Sequence, residues 1–322
     1  MNSSKKLLLV VNPVSGTKRK DKVVAKATLR FGEAGFEVNT VYTTKPGDAT
    51  VMARNAADSG FHGVIAVGGD GTVNEVARGL LGTETALGIL PCGSGNGLAR
   101  HVEESIDVDR AISIIADDHI EPCDYATANG TPFFCTCGMG FDAAVSDRFA
   151  NMSHRGFSAY IKSTLAEFVH YRPEKYHIVT PDTEFDVEAF LIAACNASQY
   201  GNNAMISPES SIRDGLLDLV IVHPGTTLKR TKVGLDLMTG RLTKNLLVET
   251  LRVPEVSIRR RPAPAHLDGD SFKAGERVDV SIVAGGIRMF TNPAKRKFRP
   301  FWSPLRYQRL DLRYRLRSLF RR

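Results

Sequence analysis

Gly68-Gly69-Asp70-Gly71-Thr72-Val73-Asn74-Glu75 decides how this chain is read. Val64-Ile65-Ala66-Val67 precedes it, apolar and rich in β-branched residues, as a buried strand should be. Val73, Val76, Ala77 and Leu80 follow at helical spacing, and Gly82 stands where a helix C-cap belongs. Three glycines and an aspartate therefore occupy a strand-to-helix turn. Glycine lets a backbone come close to a phosphate, and a helix amino end presents unpaired N–H groups to an anion. The plainer reading is a tight turn with no ligand.

The same pattern recurs on either side. Leu7–Val11 reads as a buried strand that runs into Asn12-Pro13-Val14-Ser15-Gly16-Thr17. A helix is predicted over about Asp21–Ala34, a strand over Phe36–Thr43 and a helix over Asp48–Asp58. Ala86–Leu90 is a further strand, ending in Pro91-Cys92-Gly93-Ser94-Gly95-Asn96-Gly97. Helical stretches follow at Leu98–His101 and Val108–Ala116. Alternating strands and helices mean a parallel sheet, here a Rossmann-like α/β domain. Three polar loops then lie at the carboxyl ends of strands, where open α/β sheets bind ligands.

Beyond about Pro122 the pattern becomes β-rich. Cys123–Ala128, Thr131–Cys137, Tyr176–Val179, Thr183–Ala194, Leu216–Val222, Glu255–Arg260 and Arg277–Val283 read as strands of a sandwich-like domain. Helices are expected at about Asp142–Phe168 and Leu228–Met238. The expected domains are residues 1–122, 123–290 and a tail, 291–322.

The formal net charge of +7 is unevenly placed. Residues 294–322 hold eleven Lys/Arg and one acid, Asp311, against 31 basic and 34 acidic residues elsewhere. A near-neutral body with a basic tail argues against nucleic acid as a partner. The five cysteines show no zinc-ribbon spacing and read as buried thiols. After Lys5-Lys6 only five apolar residues precede Asn12-Pro13, too few for a signal sequence, and no run of 18 apolar residues occurs. The expected location is cytoplasmic, peripherally associated with the membrane.

No Gly-Lys-Ser/Thr is present, so the opening loop is not a Walker A motif. Gly138-Met139-Gly140-Phe141-Asp142-Ala143 fits a dinucleotide fingerprint, but it begins where the βα repeat has ended. It reads as a structural strand-to-helix turn bordering the substrate region. Asn12-Pro13-x-Ser15-Gly16, Gly68 to Glu75, Gly93-Ser94-Gly95-Asn96 and Asp268-Gly269-Asp270 occur in that order. This ordered set resembles the diacylglycerol kinase/sphingosine kinase family of soluble lipid kinases, over roughly residues 5–290.

The resemblance implies an ATP-dependent lipid kinase that uses Mg²⁺, with a cleft between two domains. Phosphoryl transfer needs phosphate positioning, charge neutralisation and a base for the attacking hydroxyl. By resemblance, Asn12, Pro13, Ser15 and Gly16 form the first nucleotide loop, and Thr43, or its neighbour Thr44, lies near the nucleotide. Gly68, Gly69, Asp70, Gly71, Thr72, Asn74 and Glu75 form the main phosphate loop, in which Asp70 either binds metal-bound water or holds the loop. Ser94 is the polar residue of the third loop, in a version that resembles sphingosine and ceramide kinases. Where the family reads Asp-Gly-Glu, with the glutamate as base, this chain reads Asp-Gly-Asp. Asp270 becomes the candidate base and Asp268 its reserve. Asp-Gly is also a common hairpin turn. Ser211, Asp214 and Leu216 match a loop that holds a structural Mg²⁺, and a plain turn before a strand fits them equally.

As a helix, Ser303–Arg322 carries Leu305, Leu312, Leu316, Leu319 and Phe320 on one face beside a stripe of arginines. That composition suits an anionic membrane surface, or packing on the protein's own surface. The partners expected are a lipid substrate of the diacylglycerol, sphingoid-base or ceramide class and a membrane. A homodimer is compatible with the sequence. A kinase of a soluble substrate such as NAD, and a non-catalytic nucleotide- and membrane-binding protein, are the other two readings.

Overall fold

The structure, a computed structural model, describes residues 5–15, 20–103, 106–150 and 171–293. The chain divides into two compact units. One contains residues up to Cys123 together with the segment from Gly285, and the other spans Asp124–Ala284.

In the first unit β1 (Lys6–Val11), α1 (Lys20–Glu33), β2 (Glu37–Tyr42), α2 (Asp48–Asp58) and β3 (Gly63–Gly68) alternate. So do α3 (Asp70–Leu80), β4 (Ala86–Pro91), α4 (Gly97–Glu103) and α5 (Val108–Ala116). The strands pair in parallel in the order β2-β1-β3-β4. β3 and β4 are buried along their whole length, which explains their unbroken apolar runs. Leu7, Leu9, Val11, Ile65, Val67 and Leu90 form one core with Ala27 and Phe31 of α1 and Ile112 and Ile115 of α5. On the other side α2 lies tightly on α3. A Cβ added at Gly79 would stand 2.5 Å from the Thr50 carbonyl oxygen and 2.8 Å from Ala53 Cβ.

The second unit is a sandwich. β5 (Ile120–Ala128) enters it and pairs with β6 (Thr131–Phe133). β7 (Thr136–Gly140) leads into α6 (Phe141–Ala150), followed by β8 (Glu174–Val179), β9 (Glu184–Ala189), β10 (Leu191–Cys195) and β11 (Leu217–Val222). Then come α7 (Thr227–Thr239), β12 (Val248–Val253), β13 (Glu255–Arg259), β14 (Ala263–Leu267), β15 (Asp270–Ala274) and β16 (Arg277–Phe290). One sheet has the antiparallel order β12-β11-β10-β7-β14-β15. Opposite it lie β13 between β16 and β8, with β9 beyond. Cys137, Met139, Ile192, Ala194 and Leu219 meet Tyr176, Ile178, Ile258, Val278 and Val280 between the two layers.

Four differences from the sequence expectation have physical causes. The stretch 183–194 is two strands, because Phe190 turns the chain and donates its N–H to Val222 O. Likewise 131–137 breaks after Phe133, where Asp268 takes the N–H groups of Phe134, Cys135 and Thr136. β12, β14 and β15 were not expected, since their short runs carry Pro264, His266 and charged residues. The chain from Gly285 rejoins the first unit, where Met289 pairs in parallel with Leu87 and Phe290 enters the core. All five cysteines are free and buried, as the sequence suggested. The expected helix 142–168 is described over Phe141–Ala150, whereas residues 151–168, Gly16 and the tail helix 303–322 lie outside the described residues.

Gly79→Ala tests the α2–α3 contact. With backbone on one side of the new methyl, the helices must separate, at a cost of about 1–3 kcal/mol. Denaturant titration should show the midpoint falling with an unchanged slope.

Candidate active site

A cavity of about 340 Å³ opens at the carboxyl ends of the first unit's strands. Asn12, Pro13 and Ser15 line it from the loop after β1, Thr43, Thr44 and Lys45 from the loop after β2, and Gly69, Gly71, Thr72 and Glu75 from the start of α3. β1 lies between β2 and β3, so the cavity sits where the strand order reverses, the position at which open sheets bind nucleotides. Gly69 caps α3 without any side-chain hydrogen bond. Beyond the Asp70 amide, which its own carboxylate takes, the first amide groups of α3 are therefore open to an anion.

Side chains around the cavity fix one another. Asn12 Nδ2 donates to Thr72 Oγ1 at 3.2 Å, and Asn12 Oδ1 accepts from Val14 N at 3.1 Å. Buried Lys20 donates to the carbonyls of Pro13 and Ser15, and burial lowers its pKa. The two threonines divide their roles. Thr44 Oγ1 donates to Asp48 Oδ2 at 2.7 Å, whereas Thr43 Oγ1 has no hydrogen-bond partner among the described residues. Glu75 Oε2 accepts from Ala49 N at 3.2 Å and closes the amino end of α2.

Asp70 points away from the cavity. Its Oδ2 accepts from Asn96 N at 2.8 Å and its Oδ1 from Gly97 N at 2.7 Å. Of the two roles weighed for Asp70, the geometry is that of holding a loop. Burial pushes its pKa up, while the N–H bonds from Gly97, Asn96 and its own backbone, and Arg100, pull it down. Gly69 and Gly93 pass backbone against backbone, and a Cβ on Gly93 would stand 2.5 Å from Gly69 Cα. Asn96 closes the third loop from a left-handed conformation, φ 53°, exchanging hydrogen bonds with Gly93. Ser94 is exposed at its tip and does not line the cavity, and neither do Gly68 and Asn74, which are buried.

In the second unit Asp268-Gly269 is the two-residue turn between β14 and β15, with φ 52° and 92°. Positive φ at both positions is the twist a tight hairpin favours. Asp268 Oδ2 accepts from Phe134 N, and its Oδ1 from Cys135 N and Thr136 N, at 2.7–3.0 Å. Burial raises the Asp268 pKa against those three bonds. Its oxygens are thus committed to the fold. Asp270 is exposed, and its carboxylate meets no donor among the described residues.

Below the turn lies a buried network that the sequence did not reveal. Gly269 N donates to His266 Nδ1 at 3.3 Å, which leaves the proton on Nε2, 3.1 Å from Asp142 Oδ2. Tyr200 donates its hydroxyl to the same oxygen at 2.7 Å, and Asp142 Oδ1 accepts from Ala143 N. Gly138 leaves the room: a Cβ there would stand 2.1 Å from Asp142 Oδ2 and 2.2 Å from His266 Nε2. Gly138–Ala143 is a strand-to-helix joint, and its aspartate is the working residue. The only signal in the sequence was that fingerprint-like stretch.

The Ser211–Leu216 loop is a turn that its own side chains brace. Ser211 Oγ accepts from Arg213 N, and Asp214 Oδ1 accepts from Leu216 N, both at 3.2 Å. Arg252 bridges Asp214 and Asp218. Among the described residues no group of three or more acidic, histidine or cysteine side chains is placed for a metal. Among them also, no helix is long and apolar enough to cross a membrane.

A Rossmann-like unit with a crevice at its switch point, followed by an antiparallel sandwich, is shared with proteins of one class. Residues 6–128 match the model of the diacylglycerol kinase catalytic domain, and residues 135–291 that of the YegS C-terminal NAD kinase beta sandwich-like domain. A Chromohalobacter salexigens protein named "Probable lipid kinase YegS-like" is 34% identical over 254 residues, 77% of this chain and 82% of that protein. A diacylglycerol kinase of Bacillus subtilis is 29% identical over 249 residues, 73% of this chain and 80% of its own. The crystal structure of a Bacillus anthracis diacylglycerol kinase has the same fold, with a TM-score of 0.73 at 22% identity over 91% of this chain and 99% of that one. The chain belongs to the diacylglycerol kinase family.

Two outcomes are expected. His266→Ala removes the acceptor from Gly269 N and loosens the turn that carries Asp270. Loss of that hydrogen bond should lower the thermal unfolding temperature. Arg252→Ala, which leaves Asp214 and Asp218 without their cation, should lower the thermal unfolding temperature.

Proposed function

We propose that this protein is an ATP-dependent lipid kinase that phosphorylates the hydroxyl of a diacylglycerol, a sphingoid base or a ceramide. The observation that carries the reading is the uncapped amino end of α3 opening on a cavity lined by three strand-end loops. Its amides would take the triphosphate, with Asn12, Ser15 and Thr43 around the nucleotide and the third loop held by Asp70. Mg²⁺ arriving with the nucleotide would supply charge neutralisation, and Glu75 is the acid on the cavity wall nearest that role.

Asp270 is the proposed base. It would accept the proton of the lipid hydroxyl, whose oxygen attacks the γ-phosphorus as the bond to ADP breaks. Asp270 is preferred to Asp268 because its carboxylate is exposed and uncommitted, while Asp268 already accepts three backbone N–H groups. The basic tail, outside the described residues, is proposed as an anchor to an anionic membrane at the cytoplasmic side.

Incubation with labelled ATP, Mg²⁺ and a panel of diacylglycerol, sphingosine, ceramide and NAD separates the readings. Label should enter a lipid and not NAD. Asp270→Asn should lower the rate by about 10²–10⁴-fold with ATP binding retained. Label in NAD alone would replace the lipid substrate with a soluble one. No transfer to any acceptor, with ATP bound, would end the enzyme reading.

A further inference from the structure

The surface of the second unit carries an apolar patch that its own core does not use. α7 packs inward through Val233 and Leu237, which join the cluster around Phe190, Leu191 and Val220, and through Arg230, whose guanidinium lies 5.0 Å from the Phe190 ring centre. Arg230, Val233 and Leu237 are spaced as one helix face. Leu228, Leu235 and Met238 are spaced as the opposite face, and they are 81%, 63% and 38% exposed. Leu246, in the turn after the helix, is fully exposed. That turn is fixed to the helix, because Asn245 Nδ2 donates to Asp236 Oδ2 at 2.6 Å and Leu247 packs where a Cβ on Gly225 would be.

The charges around the patch have one sign. Lys229, Lys232, Arg241 and Lys244 are exposed in the same segment. Its one acid, Asp236, is buried and already neutralised by Lys232 at 2.5 Å. Lys229 and Lys244 meet no acidic side chain among the described residues. Leucine and methionine side chains standing free among unmatched lysines suit an interface that is apolar beneath and anionic at its rim, which is the chemistry of a bilayer surface. A second copy of the chain would bring the same positive charge to the contact.

We propose that the outer face of α7, with Leu246, is a membrane-docking surface that inserts Leu228, Leu235 and Met238 among the acyl chains of an anionic leaflet. It rests on the lipid-kinase reading only in giving the bilayer-held substrate a place where the protein meets it. It is separate from the basic tail.

The test is sedimentation of the full-length protein, without nucleotide, with vesicles of phosphatidylcholine containing one-third phosphatidylglycerol, and with phosphatidylcholine alone. The Leu228→Ser/Leu235→Ser/Met238→Ser variant should bind the anionic vesicles at least about tenfold more weakly. Lys229→Glu/Lys244→Glu should weaken binding most at low ionic strength, where charges are least screened. All three positions are exposed, so thermal unfolding should stay unchanged and activity on substrate in detergent micelles should be retained. Unchanged vesicle binding by the triple variant, whether or not removal of residues 294–322 abolishes it, overturns the proposal. So does conversion of a dimer to a monomer with vesicle binding intact, which assigns the face to a second copy. Absence of kinase activity leaves this measurement standing, so the two readings fail separately.

Discussion

Half-buried carboxylates accepting backbone N–H groups are the constraint on which one loop in each unit depends. Asp70 takes the amides of Asn96 and Gly97 and fixes the third loop of the first unit. Asp268 takes the amides of Phe134, Cys135 and Thr136 and fixes the hairpin turn of the second. In each case desolvation raises the carboxyl pKa and the amide bonds oppose it. Removing either side chain would strand two or three buried donors, each worth about 1–3 kcal/mol. The energy is spent on loop shape, and it is spent where chemistry is expected.

The device explains why the aspartate in Gly68–Glu75 is not itself turned toward the cavity. Its neighbours Gly69, Gly71 and Thr72 line the cavity, and the helix end they begin is left uncapped. A carboxylate turned onto the amides of Gly71 and Thr72 would cap the helix and repel a phosphate. By pointing toward Asn96 and Gly97, Asp70 joins two loops and keeps its charge from the anion site. Gly69 and Gly93 permit that junction, since any side chain at Gly93 would meet backbone.

What could be read from the sequence was local. Each βα joint of the first unit announces itself by an apolar run, a glycine-rich loop and a helical spacing, and all of these lie within about a dozen residues. The four strands, their helices and three loops were legible for that reason. Asp142, Tyr200 and His266 were not, because they meet through the pairing of β14 with β7, with 124 residues between Asp142 and His266. The return of the chain from Gly285 into the first unit is non-local in the same way, set by a parallel pairing of Met289 with Leu87. Helix α7 was legible as a helix from its spacing. Which of its apolar residues face outward was not, since Leu228, Val233, Leu235 and Leu237 are equally apolar and only tertiary packing tells them apart.

Asp-Gly-Asp posed a choice between a turn and a base, and the fold removes the conflict by giving the two aspartates different surroundings. Asp268 is inside the turn, in the left-handed conformation that asparagine and aspartate tolerate best among residues with a side chain. Asp270 is the first residue of β15, paired with Leu267 and exposed. On the proposed mechanism the base is one methylene shorter than the family's glutamate, so less of its reach can come from side-chain rotation. More of its position must then come from the backbone. Here the backbone is held on every side: Asp268 N donates to Thr136 O, Asp268 accepts three amides, and Gly269 N is taken by a histidine that Asp142 orients. A short base needs a rigid turn, and the hydrogen bonds of Asp268 and Gly269 would supply it.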